Sequence, residues 1–242
     1  MRNKTLPFYI VIPVNPETTS IPAVPTLDSI VARSTPDHAF ATKWAADVLR
    51  TAMTEGALDP GTKLSEAALA QQLGISRNTL RQAFTALESE HLMTRVPNRG
   101  VFVATPGKKQ IHELFTLRLA LESGAIDLIS AGEKPILRRI IEQSKVHRAS
   151  GSVSGMAGAN QDFHRELVRL SGSERLNTLM VSALAEMRLL FHSMVAVPDF
   201  HSPFVEKNEH LMHLLEAGDK YEAHVYLRDY LASSAAYFAD RV

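Results

Sequence analysis

The chain has 242 residues, with 26 lysines and arginines against 26 aspartates and glutamates, so its formal net charge is zero. That length allows one large domain or two modest ones, and neutrality by itself argues neither for nor against a nucleic-acid partner. There is no cysteine, which excludes disulfides and thiolate metal sites, and no apolar run approaches the roughly 20 residues needed to span a bilayer.

Residues 1–36 carry Pro7, Pro13, Pro16, Pro22, Pro25 and Pro36 without a sustained period. They are read as an extended or disordered tail. Phe8 and its apolar neighbours follow Arg2 and Lys4, as in a signal peptide, but Pro7 and Pro13 bracket them and no small-x-small cleavage site follows. A cytoplasmic chain without a membrane partner is expected.

From Asp37 the pattern turns helical. Ala41, Trp44, Ala45, Val48, Leu49, Ala52 and Met53 make one stripe, which stops near Gly56. Leu58-Asp59-Pro60-Gly61 reads as a turn. Ser65 caps a short helix with Leu69 and Leu73, and Gly74 closes it. Ser76 opens the next helix, with Ile75 and Leu80 placed for a hydrophobic staple. Leu80, Ala83, Phe84 and Leu87 share its buried face, while Arg77, Asn78 and Arg81 point the other way.

Arginine and asparagine are the side chains that read guanine and adenine edges bidentately. Taken alone, Ser76 to Arg81 fit either a head that reads DNA or an ordinary amphipathic helix with a solvated face. Two short strands follow, at 92–96 and 101–104, around Pro97-Asn98-Arg99-Gly100. Three helices and a hairpin describe a winged helix-turn-helix. No acidic side chain lies between Glu66 and Glu88, whereas Arg77 and Arg81 do, and Arg95 and Arg99 sit in the hairpin. Such a local cluster suits phosphates whatever the whole-chain charge.

These residues carry a resemblance. Gly56-x-Leu58-x-Pro60-Gly61-x-Lys63-Leu64-Ser65-Glu66, Leu69-Ala70-x-x-Leu73-Gly74-Ile75-Ser76-Arg77, Leu80-Arg81-x-Ala83-x-x-x-Leu87-Glu88 and Pro97-Asn98-Arg99-Gly100-x-x-Val103 resemble the winged-helix domain of the GntR family. The resemblance implies that Lys63, Ser76, Arg77, Asn78, Thr79 and Arg81 meet bases and phosphates, and that Asn98, Arg99 and Gly100 approach the minor groove. Some relatives carry a further arginine early in the second helix, where this chain has Ala67 and Ala68. That departure implies an altered operator.

Residues 106–109, with Pro106 and Gly107, are read as a linker between a DNA-binding domain at 37–105 and a helical domain at 110–242. A long stripe runs from Ile111 to Leu128, a second helix covers 136–149, and 150–158 is read as a Gly/Ser loop. Four more follow: one with Phe163 and Leu167 ending at Gly172, one at 175–197 stopped by Pro198, one at 203–217 broken by Gly218, and one at 219–240. The expected fold is mainly α: a winged helix-turn-helix with a small β-hairpin, then an antiparallel bundle of six or seven helices.

Leu117-Arg118-x-x-Leu121-Glu122, Phe163-His164 with Leu167, and Glu216-Ala217-Gly218-Asp219 with Ala223 resemble the ligand-binding domain of the family's FadR-type branch, more loosely than the first half does. In many members of that branch an aspartate and three histidines hold a divalent metal. Here His164 matches, Asn160 replaces the aspartate, and Tyr230 stands on the last helix. Counting back from Gly218-Asp219 puts Asn208 at the remaining position, on one face with Phe204, Leu211, Met212 and Leu215. A local register shift would use His210 instead.

One imidazole, two amides and a phenol hold a metal weakly. The favoured reading is therefore that no cofactor is required and that Asn160, His164, Asn208 and Tyr230 hold an effector. Retention of a metal by His164, Asn160 and either Asn208 or His210 is the alternative. Arg118, Arg188 and His192 are further candidates for an acidic effector.

The expected function is a ligand-responsive transcription regulator. It would be a repressor that binds a pseudo-palindromic operator as a homodimer and senses a small organic acid or related metabolite. The competing reading is an enzyme using a metal or His164 in the bundle, although there is no nucleophile elbow or acid–base carboxylate pair. A third is a helical interaction module with a vestigial DNA-binding half, against which the arginine set and wing argue.

Overall fold

The computed structural model describes residues 24–34, 40–130, 134–194 and 200–242. The elements in chain order are α1 Leu27–Arg33, α2 Ala41–Thr54, β1 Lys63–Leu64, α3 Glu66–Leu73, α4 Arg77–Ser89, β2 Met93–Val96 and β3 Gly100–Val103. Then come α5 Lys108–Leu128, α6 Lys134–Ala149, α7 Val153–Arg169, α8 Glu174–Ser193, α9 Ser202–Ala217 and α10 Lys220–Ala239.

Local chemistry sets the helix-turn-helix. Ser65 Oγ accepts from the Ala68 amide, and Gly74 takes a left-handed conformation, φ +65°, that ends α3. Ser76 Oγ accepts from the Thr79 amide at 3.0 Å and starts α4 after a turn of only Gly74, Ile75 and Ser76. Leu80, Ala83, Phe84 and Leu87 are all fully buried. In the wing, Arg99 N donates to Val96 O, with Pro97 and positive-φ Asn98 between them, the residue preferences of a type II turn.

Several expectations change. The wing is a three-stranded antiparallel sheet in the order β1-β3-β2, with Lys63 opposite Phe102 and Leu64 opposite Val101. Two residues of β1 are too few to show a period. Leu27–Arg33 is a helix with a Thr26 capping box, and its Ile30 is buried in the first core, so this part of the expected tail is neither extended nor disordered. The rest of that proline-rich reading, at 1–23 and 35–36, lies outside the described residues. Lys108 and Lys109 already belong to α5, and 153–158 belong to α7, capped by Ser152, despite their glycines.

Two cores result. One joins α1 to α4 with the sheet, and the other fills the bundle of α5 to α10. They meet at α8, whose Ala185 and Leu189 pack into the first core while Leu184 and Met187 face the second. Among the described residues no helix is long and apolar enough to cross a membrane.

Candidate nucleic-acid interface and buried polar site

Ser76, Arg77, Asn78 and Arg81 are exposed at the N-terminal end of α4, and Thr79 is partly buried against the cap. Asn98, Arg99 and Gly100 are exposed at the wing tip, and Lys63 lies beside them: a Cβ on Gly100 would stand 3.3 Å from Lys63 Cε. The arginine cluster is less free than its sequence suggests. Arg81 Nε donates to Glu66 at 2.8 Å, and Arg95 Nε lies 3.1 Å from Glu88. The two acids that bracket the acid-free stretch each pair with one of the four arginines, Glu66 with Arg81 inside the stretch and Glu88 with Arg95 in the hairpin. Among the described residues Arg77 and Arg99 have no carboxylate in ion-pair range, and the Arg99 guanidinium lies over the Phe102 ring.

In the bundle the i, i+4 spacing places two polar groups on consecutive turns of one helix face. Arg118 and Glu122 come from α5 and Asn160 and His164 from α7, and all four are buried. Asn208 on α9 and Tyr230 on α10 join them. The groups form one hydrogen-bonded chain. Arg118 Nε donates to Glu122 Oε1 at 2.9 Å, and His164 Nδ1 lies 2.7 Å from Glu122 Oε2. Tyr230 OH lies 3.3 Å from His164 Nε2 and donates to Asn208 Oδ1 at 2.9 Å, and Asn208 Nδ2 donates to Asn160 Oδ1 at 2.8 Å.

Protonation states follow from this geometry. Burial pushes the Glu122 carboxyl up, but the Arg118 charge and His164 outweigh it and hold it below the usual carboxylate range. Burial depresses His164, against the pull of Glu122 and with help from Arg118. The arrangement is Arg118⁺, Glu122⁻ and a neutral His164 that donates Nδ1–H and keeps a lone pair on Nε2. Burial raises the Tyr230 phenol, so it stays a donor. Its single proton faces two acceptors, Asn208 Oδ1 and the more distant His164 Nε2.

This donor set does not fit a divalent ion. Asn160, Asn208 and Tyr230 are engaged with one another, the Glu122 carboxylate is taken by Arg118 and His164, and a guanidinium already supplies the positive charge. Nor does His210 rescue it. That residue is exposed, with its ring 4.4 Å from the Tyr226 ring, while Asn208 is 2 % exposed. Sequence reasoning left Glu122 out of the site, although its i+4 spacing from Arg118 was visible.

Arg188 and His192 do not line the bundle site. Arg188 Nε and His192 Nε2 lie 3.2 and 3.0 Å from Thr54 O, one of the carbonyls left open at the C-terminal end of α2. They are contacts between the two halves of the chain.

The family model for bacterial regulatory proteins, gntR family, matches residues 42–103, and that for the FCD domain matches 113–233. A solved GntR transcriptional regulator from Rhodococcus sp. RHA1 is 32% identical with TM-score 0.72, over 81% of this chain and 96% of that one. The Nta operon transcriptional regulator of Aminobacter aminovorans is 34% identical over 124 residues, 48% of this chain and 57% of that protein. An HTH-type transcriptional regulator from an unstable DNA locus of Streptomyces ambofaciens is 28% identical over 180 residues, 72% and 75% of the two chains. The match spans 61% of the length of YdhC, an HTH-type transcriptional regulator of Bacillus subtilis. With one model covering the reading head and another the bundle behind it, the chain belongs to the GntR family of DNA-binding transcriptional regulators, in its FCD branch, and not to a family of enzymes.

Proposed function

We propose that this regulator binds a pseudo-palindromic operator as a homodimer, represses transcription there, and changes its grip when a small organic acid enters the bundle. The observation that carries the reading is the exposed set Arg77, Asn78 and Arg99, offered by α4 and the wing of one small domain. A helix of this kind places its first-turn residues against base edges in the major groove, and two-fold half-sites require two such heads. A bound dimer occupies promoter DNA that the polymerase needs, hence repression.

The effector role rests on the buried chain from Arg118 to Asn160. Arg118 Nη2 lies 2.9 Å from Glu122 Oε1 yet makes no hydrogen bond of good geometry, and Nη1 reaches only the Met187 sulfur, at 3.9 Å. A buried guanidinium with unspent donors favours a carboxylate. A ligand acts on DNA affinity only through its differential affinity for two arrangements of the chain.

Fluorescence anisotropy of labelled palindromic promoter fragments against scrambled controls, with sedimentation of the complex, tests the proposal. Two protomers per palindrome and a preference over scrambled DNA are expected. Equal affinity for both fragments would sink it.

A further inference from the structure

A second site lies outside the bundle. Between α2 on one side and α7 and α8 on the other is a cleft of about 520 Å³, a volume in the range of ligand sites and at a domain junction, where such sites concentrate. Asp47, Arg50 and Thr54 form one wall, and Gln161, Leu184 and Arg188 form the other.

The charges around it are unequally satisfied. Arg50 donates to Glu90 through Nε and Nη2, both at 2.6 Å, and to Asp47 at 2.5 Å. Lys43 also holds Asp47, Glu55 pairs with Arg33, and Arg165 pairs with Asp162. Arg188 differs. Only its Nε is engaged, with Thr54 O, and among the described residues no carboxylate lies in ion-pair range of it. Arg188 lines the cleft beside Val181, Leu184 and Ala185, and among the described residues its Nη1 and Nη2 have no hydrogen-bond partner. Gln161 Nε2 donates to Leu184 O at 3.1 Å, which leaves its Oε1 as an acceptor.

We propose that this cleft binds a small monocarboxylate with an apolar body, the carboxylate paired with the Arg188 fork and the body lying over Val181 and Leu184. Bidentate pairing of a guanidinium with a carboxylate is the strong form of such a contact. The ligand would touch the end of α2 and the face of α8 together, so it would bias how the reading head sits on the bundle. That consequence rests on the regulator reading given above, whereas binding in the cleft does not.

Benzoate is a suitable probe, with neutral benzamide as its isostere, titrated by calorimetry into the full-length protein. Saturable benzoate binding is expected, weakened at least tenfold for benzamide, for Arg188→Gln and for Val181→Glu, and unchanged within about twofold when Arg118→Met and Glu122→Met are combined, which removes the bundle guanidinium without stranding its buried carboxylate. Val181 is 44 % exposed, so a carboxylate there repels the ligand without opening the core, and this variant decides the matter if Arg188→Gln does not fold. Absence of saturable binding, or binding indifferent to both cleft variants, overturns the proposal. So does binding lost in the Arg118→Met, Glu122→Met double variant and kept in Val181→Glu, which would put the benzoate in the bundle. Failure of the wild type to prefer palindromic DNA, with cleft binding intact, would sink the function proposed above and leave the cleft site standing.

Discussion

His164 and Glu122 lie 2.7 Å apart across α5 and α7, each fully enclosed, with Arg118 on the far side of the carboxylate. Removing one charge leaves the other buried without compensation, which costs about 3–5 kcal/mol. Glu122→Ala should therefore destabilise the chain by about that much in urea unfolding. Replacing Arg118 and Glu122 together by methionine removes both charges and leaves only the His164 N–H without its acceptor, about 1–3 kcal/mol. A double variant less stable than Glu122→Ala would show that the pair is not the source of the cost.

Stability should depend on pH with opposing slopes. His164 is depressed by burial, and His201 is brought down to about 4 by burial and the Arg188 charge. The unfolded chain therefore takes up their protons first, and stability falls as pH drops below their ordinary 6.5. Glu186 is pushed up to about 7 by burial, with Glu113 adding to it, so folding favours its protonated form and stability falls as pH rises from 4.5 to about 7. Glu186→Gln should remove that second slope. Denaturation midpoints of the variant should rise more steeply with pH up to 6.5 than those of the wild type, and parallel curves would contradict the assignment.

Arg77 and Arg81 should differ in DNA affinity. Arg77→Ala removes an unpaired guanidinium and should cost about 1–3 kcal/mol if it reads a base, with relaxed preference at that position. Arg81 must first leave Glu66, an exposed pair worth at most about 1 kcal/mol. Glu66→Gln should therefore tighten binding up to about fivefold at low salt. Weaker binding in Glu66→Gln would mean that the carboxylate positions Arg81 rather than restraining it.

Gly56 couples the two halves of the chain. It has φ +82°, and a Cβ there would lie 3.0 Å from His192 Cε1, on the ring that donates to Thr54 O. Gly56→Ala combines left-handed strain of about 1–2 kcal/mol with a close contact. Adding His192→Ala should relieve the contact and leave the backbone strain. A double-mutant cycle in thermal unfolding should show coupling of about 0.5 kcal/mol or more, and strict additivity would remove His192 from the junction.

The winged helix-turn-helix was legible because its determinants are local. Ser76, Ile75, Leu80 and the Pro97-Asn98 turn act within a few residues of themselves, and helical period alone put Asn208 rather than His210 in the buried face. Tertiary structure decided how the charged groups are spent. Glu66 and Glu88 return to Arg81 and Arg95, Glu122 is drawn to a histidine 42 positions later, and Arg188 with His192 caps the end of α2 instead of lining the bundle. Periodicity reports which side of a helix is buried. It does not report what faces that side, because the partner of a buried charge is chosen by packing between helices distant in sequence.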